Sequence, residues 1–163
     1  MEDQLEIEKD ELRMEFDPNT IEHLGIQMYS TLPPVIAELI ANSYDAEATQ
    51  VYIYLEDENE KQITIADNGH GMSFSEINEN FLKIGRNRRE VERSQKSRNG
   101  KRLVIGKKGI GKLSFFGISS LIEVETVKDG LYNKFRMDWI KLKEEGKEGK
   151  TYKPEIIEKK YCR

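Results

Sequence analysis

Val35-Ile36-Ala37-Glu38-Leu39-Ile40-Ala41-Asn42-Ser43-Tyr44-Asp45-Ala46 reads as a helix that carries polar groups where a surface helix does not need them. At about 100° per residue, Glu38, Asn42 and Asp45 fall within roughly 60° of one another, with Ile36, Leu39 and Ile40 on the other side. One face is expected to pack a core while the other holds a carboxylate, an amide and a second carboxylate in a row. Ala37, Ala41 and Ala46 flank that stripe and leave room for something bulky, where a solvated helix usually carries Lys, Glu and Gln. A ligand face and a plain solvated face explain this segment equally well on its own. Pro33-Pro34 marks the helix start, since proline's fixed φ and missing N–H cost nothing in the first turn.

Beyond the helix, Val51, Ile53 and Leu55 alternate with Tyr52 and Tyr54 as a strand, and Gln62 to Ala66 reads as its antiparallel partner across a turn from Glu56 to Lys61. Asp67-Asn68-Gly69-His70-Gly71 then makes a tight loop, which in isolation is an ordinary turn signal. Ser73 with Glu76 resembles a capping box for a helix carrying Phe74, Ile77, Phe81 and Ile84. Gly85 to Lys101 has almost no apolar residues and is expected to be a long mobile loop of functional use. Order resumes at Leu103-Val104-Ile105, which leads into Gly106-Lys107-Lys108-Gly109-Ile110-Gly111 and a helix through Lys112, Leu113, Ser114, Phe115 and Phe116. A hairpin follows, Leu121 to Val127 and Leu131 to Met137, turning at Asp129-Gly130. Upstream, Asp17-Pro18-Asn19-Thr20 offers caps for a short helix through Ile21 and Leu24 that Gly25 ends. The Lys- and Glu-rich stretch after Trp139 shows no legible pattern.

The 163 residues, 37% hydrophobic and 34% charged, suit one domain with a core. No apolar run reaches membrane-spanning length and the acidic N-terminus lacks a secretory pattern, so a cytoplasmic protein without membrane association is expected. Cys162 is the single cysteine, which excludes an intrachain disulfide, and two histidines, His23 and His70, are a poor basis for a zinc enzyme. The net charge of -4 is unevenly spread. Acidic residues crowd Glu2 to Glu15, whereas Arg86 to Lys108 carries cations at ten positions against only Glu90 and Glu92, which should attract anions.

Taken in order, Glu38-Leu-Ile-Ala-Asn42-Ser-Tyr-Asp45-Ala, Asp67-Asn-Gly69-His-Gly71-Met72 and Gly106-Lys-Lys-Gly109-Ile-Gly111-Lys112 resemble the motifs of the GHKL ATPases. That superfamily includes gyrase B, the ninety-kilodalton heat-shock chaperone, histidine kinases, MutL and the MORC proteins. The Gly-Ile-Gly-Lys-Leu run and the Lys83-Ile84-Gly85-Arg86 entry to the loop look most like MORC-type members, with the chaperone a little further off. The resemblance covers about Ile21 to Val127. It implies a Bergerat-type α/β (α+β) sandwich, one mixed, mostly antiparallel sheet covered by helices, with ATP and magnesium between helices and sheet. The implied boundaries are a charged lead-in at 1–15, an ATP-binding domain at 16–140 with a lid at 85–108, and a charged tail at 141–163 that continues into a longer protein.

The resemblance also assigns roles. Asn42 offers its amide oxygen to Mg²⁺, a hard cation that keeps water and phosphate oxygens for its other positions. Glu38 orients or deprotonates a water near the γ-phosphate. Asp45 shares the nucleotide-facing stripe, Asp67 accepts from the adenine amino group, Gly69 and Gly71 let the backbone approach the base, and Met72 packs on it. Lys107, Gly109, Ile110, Gly111 and Lys112 hold the phosphates at a helix start. A rival exists, because Gly106 to Lys112 is also G-x-x-x-x-G-K behind a short apolar run. Leu113 stands where a P-loop needs its magnesium-binding Ser or Thr, and that alternative leaves the Glu38 face unexplained.

Glu38 favours hydrolysis over phosphotransfer, since sensor kinases usually lack a glutamate there. The family's later threonine and its second-domain lysine cannot be matched after Trp139. The expected function is that of an ATPase module, slow in isolation, within a larger machine that forms an ATP-dependent homodimer. The alternative is an ATP-gated binding module for DNA or a protein client with little turnover; the basic loop would serve as a nucleotide lid, a nucleic-acid contact or both.

Overall fold

The computed structural model describes Leu12 and residues 31–83, 96–105, 115–148 and 151–162. The helix foreseen around Asn42 is α1, Leu32–Asp45, with prolines in its first turn and Thr31 as an extended N-cap. It ends where Ala46 N–H donates to the Asn42 carbonyl at 2.9 Å and Glu47 turns into the left-handed region, φ 65°. Two strands follow, β1 at Val51–Glu56 and β2 at Gln62–Asp67, paired antiparallel from Val51 opposite Asp67 to Glu56 opposite Gln62.

The capping box forms as expected. Ser73 Oγ accepts from Glu76 N–H while the Glu76 carboxylate accepts from Ser73 N–H, starting α2 at Phe74–Glu76. The helix then widens to a π-type stretch over Ile77–Phe81, closed by Leu82 N–H on the Ile77 carbonyl at 2.8 Å. Ile84, the last apolar position foreseen for this helix, lies outside the described residues, as does the short helix foreseen through Ile21 and Leu24.

The second hairpin is β3, Leu121–Lys128, and β4, Leu131–Asp138. Asp129 and Gly130 both take positive φ, 50° and 76°, the combination that matches strand twist in a two-residue turn. The Lys- and Glu-rich stretch that carried no pattern contains two further elements, α3 at Trp139–Lys147 and β5 at Glu155–Tyr161. Asp138 caps α3 by accepting from Ile140 and Lys141 N–H.

Among the described residues there are two sheets, β1-β2 and β3-β4-β5, all antiparallel, where one mixed sheet was expected. The two are joined by side chain and loop in place of a ladder: Met72 N–H donates to Thr126 Oγ1 of β3 at 2.8 Å. The core lies on one face of the larger sheet. Phe135 and Met137 of β4, Ile77, Leu82, Phe116, Trp139, Leu142, Tyr152 and Leu12 form it, with Phe81 meeting Phe135 edge-on at 5.8 Å and Phe116 stacking on Trp139 at 5.0 Å. The other face of that sheet is an ion ladder, Glu123 with Lys134 and Arg136, and Glu125 with Lys134.

α1 turns differently from expectation. Val35 and Ser43 are its buried residues, Ile36 and Leu39 are half-buried, and Ile40 is 40% exposed. On the 100° wheel Val35 and Ser43 flank Leu39 beside Asn42, so the polar stripe borders the inward side and does not oppose it.

Candidate functional site

The first two motifs meet where α1 ends and β2 ends. Asp67 closes β2, and its carboxylate is held at both oxygens: Oδ2 accepts from Ser43 Oγ at 2.9 Å and Oδ1 accepts from Gly69 N–H at 2.8 Å. Asn68 secures the surroundings, its Oδ1 accepting from Thr49 and Gln50 N–H and its Nδ2 donating to Thr49 Oγ1. His70 N–H donates to the Ala46 carbonyl at 2.9 Å. The end of the helix and the Asp-Asn-Gly loop are therefore one hydrogen-bonded unit, with Asp67 on its exposed side. Along the strand leading to Asp67, Ile63 is 39% exposed and only Thr64 and Ile65 are half-buried.

The glycines serve this packing. A Cβ on Gly69 would stand 2.7 Å from the Ala46 carbonyl oxygen, and one on Gly71, φ 63°, would stand 2.0 Å from the Val127 carbonyl oxygen. These close approaches are to the residue that ends α1 and to β3. Met72, expected to pack on the base, is half-buried against the core cluster. Opposite Thr126 on β4 stands Asn133, buried with neither amide atom hydrogen-bonded, a polar spot in the core beside the Gly71 approach.

Glu38, Asn42 and Asp45 are half-buried along one side of α1. No hydrogen bond joins the Glu38 or Asn42 side chain to a described residue. Asp45 is engaged, its Oδ1 accepting from Ile105 N–H at 2.8 Å. Lys107, Gly109, Ile110, Gly111 and Lys112 lie outside the described residues, as do Arg86 to Gln95 of the basic loop.

The remainder of that loop departs from the mobile stretch expected. Lys96 to Ile105 is tied to the end of α1: Arg102 donates to the Tyr44 and Ala48 carbonyls at 3.0 and 2.8 Å and lies over the Tyr44 ring, 4.8 Å from its centre. Asn99 N–H donates to Glu47 Oε1 at 2.6 Å, and this bond chiefly holds the Glu47 carboxyl below its ordinary range. A bridge pairs Lys96 with Leu103. Elsewhere, Glu76 binds the buried Lys128 ammonium; burial pushes the Glu76 carboxyl up, but Lys128 and the Ser73 donors outweigh it and bring it down to about 2.

Sequence reasoning passed over Ser43, Thr126 and Arg102. A serine in mid-helix beside a polar stripe was a usable signal, because serine is a neutral to poor helix former unless its hydroxyl has a partner. Nothing in the sequence separated Thr126 or Arg102 from their neighbours.

Motif order and the α+β architecture point to one class of ATPase domain, and the chain belongs to the histidine kinase-, DNA gyrase B- and HSP90-like ATPase family, whose model matches residues 29–162. A putative type II restriction enzyme, HgiDII, of Herpetosiphon aurantiacus is 41% identical over 75% of this chain and 19% of its own length. The chaperone HtpG of Alcanivorax borkumensis is 35% identical over 66% of the chain and 21% of its own length. The mismatch repair protein MutL of Exiguobacterium sibiricum is 57% identical over a shorter 23% of the chain and 6% of its own length. The chain thus spans about a fifth of the length of the first two of these relatives. No described helix is long and apolar enough to cross a membrane.

Proposed function

We propose that this chain binds Mg·ATP along the polar side of α1 and hydrolyses it as the ATPase module of a larger protein. The observation that carries the reading is the two-point anchorage of Asp67 by Ser43 and Gly69, which fixes an exposed acceptor beside the α1 stripe. An oriented carboxylate suits the donor edge of adenine, and guanine, with an oxygen there, suits it poorly.

Magnesium fits the residues present. Among the described residues no cluster of three His, Cys, Asp or Glu side chains could hold a metal, but Asn42 carries an amide oxygen without a described hydrogen-bond partner, and Mg²⁺ takes few protein ligands. Bound there, it would neutralise phosphate charge. Glu38, one helical turn from Asn42, takes the proton of the attacking water. Lys107, Gly109, Ile110, Gly111 and Lys112 supply backbone N–H groups and ammonium charge to the phosphates. The basic segment 85–108 acts as a lid, within which Asn99, Arg102 and Ile105 are bonded to the end of α1, and ATP favours a homodimer of the longer protein.

A second reading has its own support: the likeness to a putative restriction enzyme, together with the exposed Lys96, Arg98 and Lys101, suits ATP-gated contact with DNA.

Calorimetry with Mg·ATP and phosphate release at saturating ATP separate the two. Glu38→Ala should keep the parent's affinity while hydrolysis falls by roughly two to four orders of magnitude, the usual share of a positioned base. Asn42→Ala should lose magnesium-dependent binding as well. Equal hydrolysis by Glu38→Ala and parent removes the general-base role and leaves a binding module.

A further inference from the structure

Four hydrogen bonds and one cation–ring contact converge on the end of α1 from residues far along the chain. Arg102 caps two carbonyls there, of Tyr44 and Ala48, and covers the Tyr44 ring. Glu47 receives Asn99 N–H, and Asp45 receives Ile105 N–H. The Tyr44 carbonyl lies in the last turn of α1, at the negative end of the helix dipole, and a guanidinium is well matched to it; the same nitrogen reaches the Ala48 carbonyl just beyond the helix. Glu47 reaches its partner from a left-handed backbone conformation, φ 65°, which glycine or asparagine usually takes at this place and which costs a glutamate about 1 kcal/mol. A strained position that keeps a long carboxylate and uses it is one where the side chain matters. Ile105 directly precedes Gly106, where the glycine motif begins.

We propose that Asp45 and Arg102 are positioning residues: with Glu47 they latch residues 99–105 to the end of α1 and so set where the chain enters the phosphate-holding motif relative to Glu38 and Asn42. The proposal rests on the ATP-binding reading above and changes one part of it. Asp45 acts through the Ile105 amide, and its carboxylate is an acceptor for the backbone and not a contact to the nucleotide. The latch is separate from the adenine end of the site, which Asp67, Ser43 and Gly69 hold by their own bonds. Its loss should therefore be felt by the triphosphate and not by the base.

The test compares Mg·ATP with adenosine on the full chain, by calorimetry and by ligand-induced NMR shifts, alongside hydrogen exchange at the Asn99 and Ile105 amides. Asp45→Ala and Arg102→Ala should each lower ATP affinity about tenfold, near 1.4 kcal/mol, while adenosine affinity stays within about twofold. Both amides should exchange faster by about the same factor. Asp45→Asn keeps an acceptor oxygen for Ile105 and should behave as the parent. Equal weakening of ATP and adenosine would mean general damage to the fold and overturn the proposal. Faster exchange with unchanged ATP affinity overturns it as well. Asp45→Asn as harmful as Asp45→Ala would return the Asp45 charge to the ligand. Failure of the ATP reading itself shows up separately, as a parent chain that binds neither ATP nor adenosine, and it takes the proposal with it.

Discussion

Replacing Asp67 by asparagine isolates ligand chemistry from fold with unusual cleanness. In the parent, Oδ1 accepts from Gly69 N–H at 2.8 Å and Oδ2 accepts from Ser43 Oγ at 2.9 Å. An asparagine amide placed with its oxygen toward Gly69 presents NH2 toward Ser43. The serine hydroxyl can then turn, accept from that amide and donate to the Leu39 carbonyl, which already lies 3.2 Å away. Both internal bonds survive, so the folding cost should stay below about 1 kcal/mol. At the Oδ2 position the group offered to a ligand changes from acceptor to donor, and an adenine amino group bound there is met donor to donor. Loss of a charged hydrogen bond of this kind costs about 2 to 3 kcal/mol, or about 30- to 150-fold in affinity. Calorimetry with Mg·ATP reads the affinity and thermal unfolding reads the fold. A folded Asp67→Asn chain with the parent's ATP affinity would remove Asp67 from the site. GTP supplies the converse check, since it should bind the parent poorly.

Other consequences concern the scaffold. Without nucleotide, trypsin should cut at Arg86, Arg88, Arg89 and Arg93 before Arg98 and Lys101, which lie in the segment tied to α1, and a non-hydrolysable ATP analogue with Mg²⁺ should suppress the early cuts; cleavage indifferent to nucleotide would refute a lid. Glu76, brought down from 4.5 to about 2, contributes stability that is complete above pH 4.5 and lost as pH falls through about 2. The stability gap between parent and Glu76→Gln in denaturant melts should therefore shrink across that window, and a gap constant from pH 5 to pH 2 would contradict the Lys128 pairing. Gly71→Ala, whose Cβ would stand 2.0 Å from the Val127 oxygen, should cost about 3 kcal/mol or more, whereas Gly130→Ala, also at positive φ but in open space, should cost only about 1 kcal/mol. Equal midpoints for the two variants would show that the Gly71 approach is not as close as described.

Local signals were legible where the physics is local. The prolines before Val35, the Ser73 to Glu76 box and the Asp129-Gly130 turn each act within four residues, and each stands where the sequence put it. The stretch after Trp139 hid a helix and a strand because its inward residues are few, Leu142 and Tyr152 among Lys and Glu, and the outward residues were too charged to leave a period. The inward side of α1 was misjudged for a related reason: a wheel gives angles between residues but not the direction of the rest of the molecule. Ile40 is as apolar as Val35 and stays exposed.

The candidate site divides along the same line. Motif order associated Asp67 with α1, and the bond that joins the two comes from Ser43, 24 residues earlier, which no motif singled out. Asp45 looked equivalent to Glu38 and Asn42 on the helix face, yet its oxygen is taken by an amide 60 residues later. A motif states which chemistry a position can perform; long-range hydrogen bonds decide whether that chemistry is turned toward a ligand or toward the protein. Within one stripe of α1 both situations occur: Asp45 is bonded to the chain's own backbone, whereas the Glu38 and Asn42 side chains have no hydrogen bond to a described residue, as their proposed roles toward ATP and its metal require. That division is why loss of Asp45 should resemble loss of Arg102 more closely than loss of Glu38, although Asp45 and Glu38 share a helix face.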